Sequence, residues 1–387
     1  MSKTFAELGV DPKIVETLGS KGIEKAFPIQ ELTIADALAG RDVCGKAKTG
    51  AGKTLAFGIP AVQRTAAVGA DHLGAVILVP TRELATQVFT ELDGLAAAID
   101  CRCLAVYGGA DIEKQIKKIN QGVDLIVATP GRMIDLIDRG VIDVQKVGIV
   151  VIDEADRMAD MGFLPQVEWI LRRIESDHQT LLFSATLDGA VDSLVTRYQN
   201  DPVRHEVEAK EVTVEQMVHR FVTVHEMDRN KVVAAIVNGV SRTMVFCNTK
   251  RACDRLAGDL AKLDVAAQPI HGDLRQRQRE KALKDFSVGS TRALVATDVA
   301  ARGIHVDDVD VVVHYDPPED HKTYLHRSGR TARAGGSGVA VTLVLWNQEL
   351  EVKRMQKRLG LDIPLVELFS NDARLNDLAG WDPSAVA

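Results

Sequence analysis

The chain has 387 residues, a length that corresponds to two or three domains of about 150 residues each. Hydrophobic residues make up 46% and charged ones 26%, which suits a globular protein with a full core. The net charge of −7 excludes nucleic-acid binding through a global basic field, so any such site must be a local groove. No apolar run approaches the ~20 residues needed to cross a bilayer. The opening MSKTFAELGVDPK lacks the basic-then-apolar profile of a secretion signal. Five cysteines, an odd number with no CxxC pair, point to free thiols in a reducing cytoplasm rather than a disulfide frame or zinc site.

The segment from Phe5 to Gln30 has helical patterning and ends in FPIQ. A Gln side chain can donate to one edge atom of adenine and accept from another, which makes Gln30 a candidate base reader. Asp42-Val43-Cys44 then predicts a strand, GKAKTGAGKT a glycine-rich turn, and the apolar pattern from Leu55 a helix. Strand, turn and helix in that order form the setting of a phosphate-binding loop. The loop from Thr49 through Gly50, Ala51 and Gly52 can turn its N–H groups onto an anion, with Lys53 reaching terminal phosphates and Thr54 ligating Mg²⁺. The first position of the general pattern, usually Gly, is Ala47.

Strand patterns follow at Ala75–Pro80, Cys103–Gly109, Asp124–Pro130, Lys146–Asp153 and Thr180–Thr186, alternating with helical stretches. That alternation predicts a mostly parallel sheet with helices on both faces. The stretch KVGIVVIDEAD is the central one: an uninterrupted apolar run reads as a strand buried on both sides, ending in Asp153, Glu154 and Asp156. Carboxylates crowded at a strand's carboxyl end repel one another unless a cation lies among them, and Mg²⁺ with phosphates is the usual partner. PTREL, YGG and TPGR, at three other strand ends, offer N–H groups, hydroxyls and arginines at helix starts. Such groups hold phosphate without reading bases, so the three together predict a track for a nucleic-acid backbone.

After Tyr198 the pattern breaks, placing a linker near Glu208 to Gln216. A second α/β pattern follows without a glycine-rich loop. Its Cys247–Lys250 loop lacks the glycine pair, so this half is not expected to hold triphosphate alone. It carries HRSGRTARAG, with Arg327, Arg330 and Arg333 flanked by small residues. An arginine supplied across an interface to a transferring phosphate raises rates by about 10³–10⁵-fold.

Taken together, these stretches resemble the DEAD-box RNA helicases, a branch of helicase superfamily two, in order from Phe5 to about Leu345. The matching motifs are Ala47–Thr54, Asp153–Asp156 (DEAD), Ser184–Thr186 (SAT), Phe27–Gln30, PTRELA, GG, TPGR, Val245–Thr249, Gln276 with Arg279, Ala296–Ile304 and His326–Arg333. The resemblance implies two tandem RecA-like domains, 1–208 and 217–360, joined by a flexible linker at 209–216 and followed by a short acidic tail at 361–387. It implies an RNA-dependent ATPase that uses ATP and Mg²⁺ and unwinds short RNA duplexes locally. Gln30, with Phe5 upstream, would hold adenine; Lys53, Thr54, Asp153 and Glu154 would serve phosphate, Mg²⁺ and the attacking water. Arg330 and Arg333 would be arginine fingers, while Ser184, Thr186, Asp298 and His326 would couple ATP state to RNA grip. RNA contacts would come from Pro80, Arg82, Gly109, Thr129, Gly131, Arg132, Gly272, Asp273, Arg279 and Thr297. The implied partner is RNA, bound by its backbone without sequence preference, and the implied state is a cytoplasmic monomer that takes its specificity from a partner protein.

The chain departs from the family where His305 stands in place of the Asp after ARGI. It also departs in the Gly22–Gln30 segment, where Ile23 replaces an aromatic residue and the usual Pro-Thr pair is absent. These changes predict nucleotide affinity below the family norm. The alternative to a helicase is an ATP-gated RNA clamp or scaffold activated by a partner protein.

Overall fold

The computed structural model describes residues 3–48, 50–68, 72–187, 189–207, 217–301, 306, 309–331 and 338–385. Thr49, His305, Arg333 and the expected linker 209–216 lie outside the described residues. The chain forms two compact units, Met1–Ala209 and Lys210–Ala387.

The first unit is built on seven parallel strands: β1 (Val43–Lys46), β2 (Ala75–Leu78), β3 (Cys103–Val106), β4 (Leu125–Ala128), β5 (Ile149–Asp153), β6 (Gln179–Ser184) and β7 (Val203–Glu206). Their order across the sheet is β3-β4-β2-β5-β6-β1-β7. Parallel strands need crossover helices, and those helices cover both faces. The burial pattern shows the consequence. Ile77, Val127, Val151 and Leu181 enter one core, while their neighbours Val76, Ile126, Val150 and Leu182 enter the core on the opposite face. Each fully buried Val or Ile contributes about 1.5–3 kcal/mol relative to exposure. These strands therefore have no polar face to offer water, and their register is strongly specified.

The second unit repeats the plan with β8 (Val218–Thr223), β9 (Thr243–Phe246), β10 (Ala267–Ile270), β11 (Ala293–Ala296), β12 (Val311–His314), β13 (Val339–Val344) and β14 (Leu365–Glu367). Its order, β10-β11-β9-β12-β13-β8-β14, is the first unit's order strand for strand. This correspondence corrects one comparison made from the sequence. The turn equivalent to the glycine-rich loop follows β8, not β9, so Val224–Asp228 rather than Cys247–Lys250 is its counterpart. It contains no glycine, and the conclusion that this half has no phosphate loop stands on that turn instead.

Residues expected to form a separate acidic tail belong to the second unit. β14 pairs with β8, and Leu375 and Leu378 are buried in the core beneath the sheet. The Arg220 guanidinium donates to the carbonyls of Ala379 (3.3 Å) and Trp381 (2.5 Å). Ser370 donates through its N–H and its hydroxyl to Asp228 (2.7 and 2.8 Å). β7 and β14 escaped the sequence pattern for one reason: both are short edge strands, and neither carries the apolar run that marks an interior strand.

Asp42, at the entrance to β1, joins three segments. Its carboxylate accepts the N–H of Thr180 on β6 (2.7 Å) and of Asn200 just before β7 (2.7 Å). Replacing Asp42 by Ala leaves the buried Thr180 N–H without an acceptor, at about 1–3 kcal/mol, and frees the more exposed Asn200 N–H to water at little cost. Asp42→Ala is therefore expected to lower the denaturant midpoint of the first unit's unfolding by the equivalent of about 1–3 kcal/mol. The second unit's transition should be unmoved, with urea titration followed by circular dichroism as the check.

Candidate functional site

Because all strands of the first sheet are parallel, their carboxyl ends share one edge, and the strand order decides which loops are neighbours. The ends of β5, β6 and β1 carry DEAD, SAT and the glycine-rich loop, respectively. The ends of β3, β4 and β2 carry YGG, TPGR and PTREL. Loops far apart in sequence thus sort into two adjoining groups, with β5 at the seam.

The glycine-rich loop turns on Gly50 and Gly52, whose φ angles of 82° and 84° lie in the left-handed region. It delivers Lys53 as the first residue of the helix Lys53–Val68. The buried Lys53 ammonium donates to the Ala47 carbonyl (2.9 Å), and the Ala47 N–H donates to the Ser184 carbonyl (3.0 Å), so loop and SAT strand move together. Thr54 follows on the first turn, half-buried.

Gln30 lies in the helix Pro28–Leu38 and is only 2% exposed. Its Nε2 donates to the Gly52 carbonyl (2.8 Å), and its Oε1 accepts the Phe27 N–H (2.8 Å). A carboxamide has two donor hydrogens and two lone pairs. One of each is used within the protein, and the remaining pair is the one a bidentate adenine contact needs. Phe5, expected beside the base, is instead 1% exposed inside the first core, so it presents no face to a ligand.

At the end of β5, the Asp153 carboxylate accepts the N–H of Glu154 (2.9 Å), and both residues are buried. Glu154 adopts a left-handed backbone with φ 52°, a conformation that costs a non-glycine residue about 1–3 kcal/mol. Its Oε2 accepts from Arg157 Nη1 at 2.6 Å. The Arg157 Nε and Nη2 make no hydrogen bond among the described residues, so this one contact fixes both side chains. The Ser184 hydroxyl accepts the Asp156 N–H (3.1 Å), tying the SAT strand to the helix after DEAD. Thr186 is exposed beyond it. Arg157 had no part in the sequence expectations; its place one helical turn after Glu154 was the available signal.

Across the seam, Pro80 is buried, Thr129 is half-buried, and Arg82, Gly109 and Gly131 are exposed. The Arg82 guanidinium packs across Gly109. Arg132 differs from its expected role as an RNA contact. Its side chain is 10% exposed and donates to Gln115 Oε1 (2.9 Å) and the Ala110 carbonyl (3.3 Å). Gln115 in turn donates to the Tyr107 carbonyl (3.2 Å). Arg132 therefore braces the YGG loop from beneath, and burial draws its guanidinium pKa downward.

In the second unit, Thr297 is buried, Arg279 half-buried, and Gly272 and His326 exposed. Asp273 is an exposed carboxylate paired with Lys250 Nζ (2.5 Å), and that hydrogen bond holds its pKa below the usual carboxylate range. A carboxylate repels a phosphate, so Lys250, absent from the sequence expectations, is the better-suited contact at this loop. Arg327, with a side chain 2% exposed, is a hub rather than a surface cation. It donates twice to Asp298 (2.7 Å each), once to the Asp316 carbonyl (2.7 Å) and once to Asn248 Oδ1 (3.0 Å). The helix carrying it, His321–Ser328, is also anchored by Tyr324, which stacks on Phe221 and meets His219 Nδ1 at 2.6 Å. Half-buried Arg330 follows directly.

This is the arrangement of a P-loop nucleotide site beside a carboxylate strand end, on the first of two units of like topology. A family model described as DEAD/DEAH box helicase matches residues 27–194, and one described as helicase conserved C-terminal domain matches residues 228–335. The chain is 43% identical over 343 residues to the DEAD-box ATP-dependent RNA helicase CshA of Geobacillus kaustophilus, covering 88% of this chain and 73% of that one. It is 40% identical over 366 residues to the mitochondrial DEAD-box ATP-dependent RNA helicase 9 of Arabidopsis thaliana, covering 92% of this chain and 60% of the relative. The chain belongs to the DEAD-box ATP-dependent RNA helicases. Its structure resembles that of S. cerevisiae Dbp5 bound to RNA and ADP BeF3, with TM-score 0.81, 29% identity, and 97% and 98% of the two chains covered. No helix among the described residues is long and apolar enough to cross a membrane.

Two pairs of substitutions test the geometry. A Cβ on Gly52 would lie 2.5 Å from Gln30 Nε2, whereas one on Gly131 meets nothing within 4 Å. Gly52→Ala should weaken ADP binding at least tenfold by calorimetry, while Gly131→Ala leaves folding and ADP binding unchanged. Arg327→Ala, which removes a buried side chain and the four hydrogen bonds it donates to partly exposed acceptors, should destabilise the second unit by about 2–4 kcal/mol. Arg330→Ala should stay within about 1 kcal/mol in the same denaturation assay.

Proposed function

We propose that this protein is an RNA-stimulated ATPase that binds single-stranded RNA by its backbone and locally separates short duplexes. The observation that carries it is the strand order of the first sheet. That order sets the glycine-rich loop and the carboxylate end beside the YGG, TPGR and PTREL loops on one edge, which supports the reading of those three as contacts to an RNA backbone. Asp153 and Thr54 are hard oxygen donors on neighbouring loops, and no cluster of three His, Cys, Asp or Glu among the described residues is built to hold a metal. That donor set suits Mg²⁺ bound together with nucleotide phosphates rather than in an all-protein cage. Mg²⁺ would be held by Thr54 and Asp153, partly through water, and would neutralise charge on the phosphates. Glu154 orients the attacking water and accepts its proton, while Lys53 holds the terminal phosphates. Arg330 and Arg333 of the second unit supply positive charge to the transferring phosphate.

Contacts to the backbone alone give little sequence preference and steep salt dependence. ATP and RNA raise each other's affinity by the same factor, because coupling between two ligands is reciprocal. We place the protein in the cytoplasm as a monomer whose RNA target is chosen by a partner. Intact and positioned Lys53 and Glu154 favour hydrolysis over a passive clamp.

The test is steady-state ATP hydrolysis without nucleic acid, with RNA and with matched DNA. RNA should stimulate hydrolysis and DNA should not. Glu154→Gln should lower kcat by about 10²–10⁴-fold, the usual loss of a general base, while retaining ATP binding. A response flat to both polymers would instead support the partner-activated clamp.

A further inference from the structure

Trp346 follows β13 and is 83% exposed, and Leu350, one turn further on, is 63% exposed. Side chains so placed add nothing to a core. The chain's other two tryptophans are covered: Arg173 lies 3.1 Å over the Trp169 ring, and Arg220 and Arg374 lie 4.8 and 5.4 Å from that of Trp381. Among the described residues, no ring or guanidinium covers Trp346. Its backbone is nonetheless fixed. Trp346 opens a single helical turn, Trp346–Gln348, that is closed from both ends. Gln348 Oε1 accepts the Leu345 N–H (3.0 Å), and the Gln348 N–H donates to the Leu345 carbonyl (2.8 Å).

The helix Glu349–Arg358 continues from that turn. It buries Val352 and Met355 against Phe221, Tyr324 and Val344, while Lys353, Arg354, Lys357 and Arg358 are all exposed. Spacings of four, seven and eleven residues from Trp346 bring Leu350, Lys353 and Lys357 onto one stripe, about 16 Å long. Cations in a last turn complement the helix dipole, which accounts for Lys357 and Arg358. It does not account for Lys353 and Arg354 in the middle, and among the described residues none of the four meets a carboxylate. In a chain of net charge −7, this is a local cationic stripe headed by a bare aromatic ring. Protein interfaces deplete charge from their centre, whereas here the lysines lie in line with Trp346 and Leu350. The combination fits single-stranded nucleic acid, whose phosphates meet cations and whose bases stack on aromatic faces.

The stripe is separate from the loops already described. Gly272 and Thr297 follow β10 and β11, and β9 and β12 lie between β11 and β13, a distance of about 15 Å across the sheet. We propose that Trp346 and the exposed face of the helix Glu349–Arg358 form a second RNA-binding surface, which holds a single-stranded flank of an RNA whose neighbouring segment lies on the strand-end loops. Trp346 stacks a base, and Lys353, Arg354 and Lys357 neutralise phosphates. Holding one RNA at two places makes the second contact intramolecular, so affinity rises with RNA length and without sequence preference. This inference rests on the reading of the chain as a binder of single-stranded RNA.

The experiment measures binding of labelled oligouridines of about 10 and about 40 nucleotides to the full chain with ADP and beryllium fluoride, the longer alone being able to span both surfaces. Trp346→Ala should bind the long RNA about 5- to 150-fold more weakly, the effect of losing one stacked base, and bind the short RNA as the parent does. Trp346→Phe should restore most of that loss. Lys353→Gln with Lys357→Gln should flatten the long RNA's log-affinity against log-salt slope by about 1.4, at about 0.7 per phosphate contact on a single strand. The short RNA's slope should not change. These side chains are exposed, so the denaturation midpoint should stay where it is in every variant. The second surface is overturned if both the Trp346→Ala and the double lysine variant bind the long RNA within twofold of the parent; the stripe would then be left to a protein partner. It is equally overturned if long and short RNA weaken together, since the substitutions would then act through the strand-end loops. A parent protein that binds neither RNA overturns the RNA-binding reading and the second surface with it.

Discussion

The pairing of β5 between β2 and β6 is the constraint on which the rest of the first unit depends. A strand buried on both faces can end in carboxylates only at the sheet's edge, because no polar group inside would find water or a partner. Parallel pairing then aligns every other strand with it, so each strand's last residue emerges at that same edge. The DEAD carboxylates, the SAT hydroxyl and the phosphate loop are neighbours as a result of hydrophobic strand burial. No loop had to search for another.

At the edge itself, polar groups are held without being exhausted. Gln30 keeps half of its hydrogen-bonding capacity, Lys53 rests on a backbone carbonyl, and Glu154 is turned by a left-handed backbone and fixed by Arg157. Each arrangement leaves a group that a nucleotide, a phosphate or a water can engage without first breaking the scaffold. The strain at Glu154 persists because Asp153, Arg157 and the following helix over-determine it. Such preorganisation lets binding and hydrolysis proceed with little rearrangement of the dipoles that face the phosphates.

The second unit shows what the same topology becomes when the phosphate loop is absent. Its buried cation, Arg327, joins Asn248 after β9, Asp298 after β11 and Asp316 after β12. Four hydrogen bonds satisfy a guanidinium that would otherwise be costly to bury, and they fix three strand-end loops to the helix that precedes Arg330. The charge is used for geometry within the unit.

Much of this was legible in the sequence because interior strands and phosphate loops are local patterns. The apolar runs marked β1 to β6 of the first unit and the repeated α/β pattern of the second, and GKAKTGAGKT, DEAD and HRSGRTAR marked their chemistry. The resemblance these motifs carry implied Gln30, Lys53, Asp153 and Glu154 as nucleotide-site residues, and the fold brings Gln30 and Lys53 to the glycine-rich loop and Asp153 and Glu154 to the end of β5. Non-local facts were not legible. Phe5 and Arg132 read as ligand contacts, but whether a side chain faces solvent or core depends on which element covers it. The edge strands β7 and β14 exist only because β1 and β8 offer them backbone partners. The packing of Leu375, Leu378 and Trp381 against the second unit likewise depends on Arg220, some 160 residues earlier. The sequence by itself determined the strands, the loops and their chemistry, since those follow from short-range pattern and residue type. Only the tertiary structure decided which loops of a sheet adjoin and which arginines, such as Arg132 and Arg327, are buried braces, because strand order and burial are properties of distant segments brought together.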